Sequence, residues 1–216
     1  SIAAVRVRPA ATRSARPRLP RAHDLVGGFR ALRNRNYRLF WSGQMVSLAG
    51  TWMQDVALSW LVVVLTASPI ALGLTMTIRF APALVFSLYG GVLADRLPKR
   101  QTLIVAQTAQ LFVALALAIL TSTDLITVTL IYVLAGLRGL IDSIEGPARQ
   151  AFVPEMVGSE DLANGVALNS TLFNAARIAG PAVGAVVIGA LGGGVDAIAA
   201  CFYINAGKNT ALSIEQ

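Results

Sequence analysis

"GGVLADRLPKRQTL", residues 90–103, interrupts an otherwise apolar chain with four charged side chains in six positions, Asp95, Arg96, Lys99 and Arg100. Only 13% of all residues are charged. An acid followed by three bases, with Pro98 between them, suits a tight turn held at a membrane surface. The stretches on either side decide whether a membrane is there.

They are long. Of the 216 residues, 55% are hydrophobic, more apolar surface than a water-soluble chain of this length can hide. A helix crosses a hydrocarbon core about 30 Å thick with about 20 apolar residues. The runs do not alternate with period two, so helices are expected and not a barrel. The spacing predicts spans over 40–65, 72–93, 103–120, 125–144 and 166–191. A sixth span should follow Asp196, but Asn205, Lys208 and Asn209 arrive after some eight apolar residues. A central Lys costs about 2.5–3.5 kcal/mol on insertion scales, so the sixth helix is expected to be incomplete over 192–216. The fold class is thus an all-α polytopic membrane protein, with a tail over 1–38, five clear helices over 39–191 and the stub.

Charge sets the orientation. Ten of the 18 bases precede residue 39, and others lie in the quoted turn and in the 145–162 connection. The connections 66–70, 121–124 and 192–196 hold none. Bases alternate with every crossing, which places the N-terminus in the cytoplasm. The tail reads as a basic arm ending in an amphipathic helix on the inner leaflet. Transit peptides share its Arg-rich, acid-poor composition. The charge follows the membrane boundaries, so no nucleic-acid partner is expected; the lipid bilayer is.

The chain carries one cysteine, Cys201, and one histidine, His23. That argues against a disulfide framework, a zinc site or another metal, and no cofactor is expected. Without a nucleophile–base pair or metal cluster in the spans, no enzyme is expected either.

Polar residues inside the spans are costly and point to function. Gln44, Ser47, Thr51, Asp55 and Ser59 recur at spacings of three and four, one stripe of the first helix. Ser170, Asn174 and Arg177 form another on the fifth. At about 1.5 Å per residue from the outer ends, Asp55 lies about 15 Å down and Arg79 about 12 Å, level enough to pair. Arg138 and Arg177 come to about 20 Å, without an acid at equal depth. Asp55 is a candidate proton-coupling carboxylate, with Arg79, Arg138, Arg177, Gln44, Thr51 and Asn174 as the candidate proton and substrate pathway. A structural ion pair is the competing reading. Arg138, Asp142, Glu145 and Arg149, spaced 4, 3 and 4, suit ion pairing along one helix.

The quoted turn resembles the loop signature of the major facilitator superfamily, G-x-L-A-D-R-x-G-R-K-x-x-L. Gly91, Leu93, Ala94, Asp95, Arg96 and Leu103 match, Lys99 and Arg100 stand where the pattern has Arg and Lys, and Pro98 stands where it has Gly. The resemblance implies that Gly91, Asp95, Arg96, Lys99 and Arg100 take part in an inward–outward switch. "ARIAGPAVGAVVIG", residues 176–189, resembles the superfamily's antiporter motif through Gly180, Pro181 and Gly184. Ala176, Gly180 and Gly184 share one face, suited to close packing, and Pro181 frees the carbonyl of Arg177. Segments such as "GTWMQDVALSWLV" are similar to the bacterial branch that includes the enterobactin exporter and related efflux proteins. The resemblance implies the N-terminal half of a twelve-helix secondary transporter, built from inverted three-helix repeats in the plasma (inner) membrane. It also implies a small-molecule substrate, efflux driven by a proton gradient, and a second six-helix half outside these residues. A half-protein without transport activity, structural or regulatory, or a gene fragment, is the alternative.

Overall fold

The computed structural model describes residues 35–96, 98–157 and 162–215; side chains at 36, 87–96, 153–157 and 208–215 are outside the description. The described residues form six helices: α1 Arg35–Thr66, α2 Pro69–Arg96, α3 Lys99–Ser122, α4 Val128–Val157, α5 Leu162–Ala190 and α6 Val195–Glu215. Most of the basic tail lies outside them, and its last residues, from Arg35, already belong to α1.

Local chemistry sets the ends. Ser68 accepts a hydrogen bond from the Ala71 amide at 3.3 Å, with Pro69 opening α2. The Thr127 hydroxyl does the same for the Leu130 amide at the start of α4. At the end of α5, Gly192 and Gly193 take φ of 84° and 74°, a region glycine enters freely. The Gly193 amide then closes on the Ile188 carbonyl at 2.8 Å.

Four stretches are long and apolar enough to cross a membrane: Tyr37–Thr66, Pro69–Phe86, Lys99–Ser122 and Leu162–Ala190. Two expectations change. The 145–162 connection is not a loop throughout, because α4 runs on to Val157 through "EGPARQAFVPEMV". The Glu145–Arg149 pair, four residues apart, supports that extension. Its charges, from Arg138 to Arg149, also keep α4 from qualifying as a span by composition. The sixth helix does not stop at its polar cluster either: it continues to Glu215, although its apolar part covers only Val195–Gly207.

The helices pair with a repeat. α1 packs chiefly on α5, α2 on α4, and α3 on α6, with α3–α4 and α1–α6 as the next contacts. Exchanging each helix with the one three places along (α1 with α4, α2 with α5, α3 with α6) maps this pairing onto itself. That is the contact pattern of two three-helix repeats. α1 and α5 run parallel: the Tyr37 hydroxyl donates to the Gly165 carbonyl at 2.9 Å, and Trp60 Nε1 to the Gly193 carbonyl at 3.3 Å. Met53, Leu58, Leu61, Leu117, Ile131, Ile198 and Phe202 fill the apolar core among α1, α3, α4 and α6.

Glycines set the closest approaches. A Cβ on Gly180 would lie 2.5 Å from the Ala49 carbonyl oxygen, and one on Gly139 only 1.9 Å from that of Arg79. Small residues therefore bring α5 onto α1 and α4 onto α2. The Ala176–Gly180–Gly184 seam is buried against α1, as its spacing predicted.

Candidate functional site

Asp55 lies at the centre of a buried charge cluster. It forms a salt bridge with Arg79 of α2 and another, at 3.1 Å, with Arg138 of α4. Asp142 completes the group, 3.5 Å from Arg79 and 3.9 Å from Arg138. Arg138 Nη2 also donates to the Thr51 carbonyl at 3.3 Å. Two acids and two bases from three helices thus compensate one another where water is scarce. A buried ion is tolerated only with such partners.

The Asp55–Arg79 pair follows from the helix depths. Arg138 departs from expectation, because it does have an acid. Depth counted along each helix treats the helices as upright, whereas α4 meets α2 at Gly139 and delivers Arg138 to the carboxylate of α1. Asp142, one turn further along α4, also reaches both arginines.

A second group continues the first towards the other end of α4. Gln110 Nε2 of α3 donates to Asp142 Oδ1 at 3.0 Å and to Glu145, which pairs with Arg149. Gln110 carried no functional reading in the sequence; an amide is common, and only the fold places it between two carboxylates. Gln54 and Asn205 were missed similarly. Asn205 Nδ2 donates to Gln54 Oε1 in the interior, joining α6 to α1.

Along α1 and α5 opens a cleft of about 670 Å³. Trp52, Asp55, Ser59, Trp60, Arg177 and Pro181 line it, with apolar side chains around them. It lies towards the ends of α1 and α5 that Trp60 and Gly193 join. Arg177 reaches over the Trp52 ring, its guanidinium carbon 5.5 Å from the centroid. Asp55 serves both structures, since its carboxylate belongs to the charge cluster while the residue forms part of the cleft wall.

The other expected residues fall elsewhere. Gln44 is buried, and neither amide atom has a hydrogen-bond partner among the described residues. Asn174 is exposed and turns back to the Ser170 carbonyl at 2.9 Å, away from the cluster. Lys99 opens α3, and Arg100 beside it is exposed. Gly91, Asp95 and Arg96 fall in the last turns of α2, where side chains lie outside the described residues. No group of His, Cys, Asp and Glu suited to a metal occurs among the described residues.

Residues 26–207 match the family model described as "Transmembrane secretion effector", within the major facilitator superfamily. The chain belongs to the major facilitator superfamily. It is a multi-pass membrane protein. It is 28% identical over 152 residues to the staphyloferrin A transporter of Staphylococcus aureus, covering 70% of this chain and 38% of that one. To the multidrug efflux pump Tap of Mycolicibacterium fortuitum it is 30% identical, over 67% of this chain and 37% of that one. To macrolide efflux protein A of Streptococcus pyogenes it is 27% identical, over 68% and 36%. The match to these superfamily members therefore spans less than two fifths of their length. No solved structure matches the chain.

Proposed function

We propose that this chain forms one six-helix half of a secondary transporter that exports a small molecule in exchange for protons. A second six-helix bundle, in the same or another polypeptide, completes it, and the two rock about the cleft between α1 and α5. It resides in the inner membrane with its N-terminus in the cytoplasm, an orientation supported by the alternation of bases among the connections. Relatives named as transporters and efflux pumps support export of a small organic molecule.

The observation that carries the coupling role is the double engagement of Asp55. Its carboxylate holds Arg79 on α2 and Arg138 on α4 while the residue lines the cleft. A proton arriving there neutralises the acid that binds both guanidinium groups. It thereby loosens α1 from α2 and α4, so protonation and helix arrangement become linked. Lys99 and Arg100, with Gly91, Asp95 and Arg96, act at the opposite end of α2 as the switch. Pro181, within the Gly180–Gly184 seam, lacks the amide that would bond the Arg177 carbonyl and so gives α5 a place to bend during the switch. The competing reading, that the neutral cluster only fastens three helices, rests on the mutual compensation of its charges.

Flux separates the two readings. Proteoliposomes holding the completed transporter are given a pH gradient and tested with siderophores, macrolides and amphiphilic dyes. The Asp55→Asn protein should lose at least about tenfold of gradient-driven flux, while gradient-independent exchange persists. Unchanged gradient dependence in Asp55→Asn overturns the coupling role and leaves the structural reading.

A further inference from the structure

We infer that the α1–α5 cleft selects an organic anion with an aromatic or otherwise apolar body. This deepens the proposed transport function and rests on it. The volume, about 670 Å³, lies within the range of small-molecule sites, about 300–1,000 Å³. Two indole rings, Trp52 and Trp60, with Val56, Val63, Leu72 and Ile188, give the cleft broad apolar walls.

Its charge balance selects the ligand's sign. Asp55 is the acid in the wall, and both Arg79 and Arg138 already engage it. Asp142 completes the compensation of those two arginines. The cluster of two acids and two bases is therefore neutral. Arg177 is left over. It lines the same cleft, pairs with no acid among the described residues, and has only the face of Trp52 beneath it. The cleft therefore presents one uncompensated cation among apolar surfaces.

A cationic ligand would meet Arg177 and would have to displace two guanidinium groups to reach Asp55. A neutral ligand would gain the walls alone. An anion gains the walls and a charge-assisted contact with the Arg177 guanidinium, whose N–H donors pair with no acid among the described residues. A carboxylate, sulfonate or phosphate on an aromatic body matches both features together.

The test compares two probes of similar shape, one carrying an anionic group and one without it. The purified protein in nanodiscs of zwitterionic lipid is titrated with 8-anilinonaphthalene-1-sulfonate and with the uncharged N-phenyl-1-naphthylamine. Energy transfer from tryptophan reports occupancy. The sulfonate should bind at least about tenfold more tightly, and added salt should narrow the gap. Arg177→Gln should bring the two affinities together while the neutral probe still binds. Arg177→Lys, which keeps the charge, should preserve part of the preference, and this second variant serves if Arg177→Gln fails to fold. Equal affinities in the unaltered protein, or a preference that survives Arg177→Gln, overturn the inference. So does a preference lost equally in Arg177→Lys. None of these outcomes bears on Asp55 coupling, which fails only if gradient-driven flux ignores Asp55→Asn.

Discussion

At the scale of single residues, the membrane interior makes polar side chains depend on one another. Gln54 and Asn205 show it without the complication of charge. Their amides meet in the interior between α1 and α6, so either one left alone is a buried polar group without its partner. Losing one partner costs about 1–3 kcal/mol in a buried site, against only about 0.6 kcal/mol for an average interhelical bond in a membrane protein. Asn205→Leu or Gln54→Leu alone should therefore destabilise the fold more than the double substitution does. Unfolding in mixed micelles by increasing fractions of sodium dodecyl sulfate would measure all three; strictly additive losses would show that the amides do not interact. The sequence made Asn205 visible only as an obstacle to a sixth span, since its partner lies 151 positions earlier. Asp55 and Arg79 were legible because consecutive helices share a turn, which fixes their relative depth. The partner of Arg138 was not, because α1 and α4 are not consecutive and no turn aligns them.

At the scale of elements, apolar length located the helices well, and the failures share one cause. Both α4 and α6 run beyond their apolar stretches, and in α4 the Glu145–Arg149 pair helps keep the polar residues helical. Hydropathy records what lipid accepts, not where helical hydrogen bonding ends. Close approach between elements was half legible: the Gly180 seam stood out by its spacing, whereas Gly139 drew no notice beside Arg138. Yet Gly139 is the tighter of the two. A methyl group there would sit 1.9 Å from the Arg79 carbonyl oxygen, which belongs to backbone and cannot swing aside. Gly139→Ala should cost about 1–3 kcal/mol or more in stability by forcing α4 from α2. It should also lower transport, since the same displacement draws Arg138 and Asp142 away from Arg79. Gly136→Ala faces only the Ile78 side chain at 3.2 Å and Gly146→Ala meets open space, so both should remain close to the parent protein. Thermal unfolding of the three variants side by side checks the ranking; a neutral Gly139→Ala would mean that α2 and α4 are not held at this crossing.

At the scale of the whole molecule, the question is which connections share a side of the membrane. The parallel run of α1 and α5, joined at one end by Tyr37 and Gly165 and at the other by Trp60 and Gly193, requires an even number of reversals between them. The connections after α1 and α5 then lie together, and in the proposed orientation, with the N-terminus in the cytoplasm, they face the outside. Neither observation depends on the other: one comes from hydrogen bonds, the other from charge. Single cysteines can test their agreement in a Cys201→Ser background, a mild change at a buried site. Ser68→Cys, Asp124→Cys and Gly194→Cys should react with a membrane-impermeant maleimide in intact cells. Gln101→Cys, beside Lys99 and Arg100 of the basic turn, should react only after the cells are permeabilised. The mirror-image pattern would overturn the orientation and leave the bundle intact. Labelling of Gln101→Cys from the same side as Ser68→Cys would remove the second crossing, and with it the parallel packing that brings Asp55 and Arg177 to one cleft.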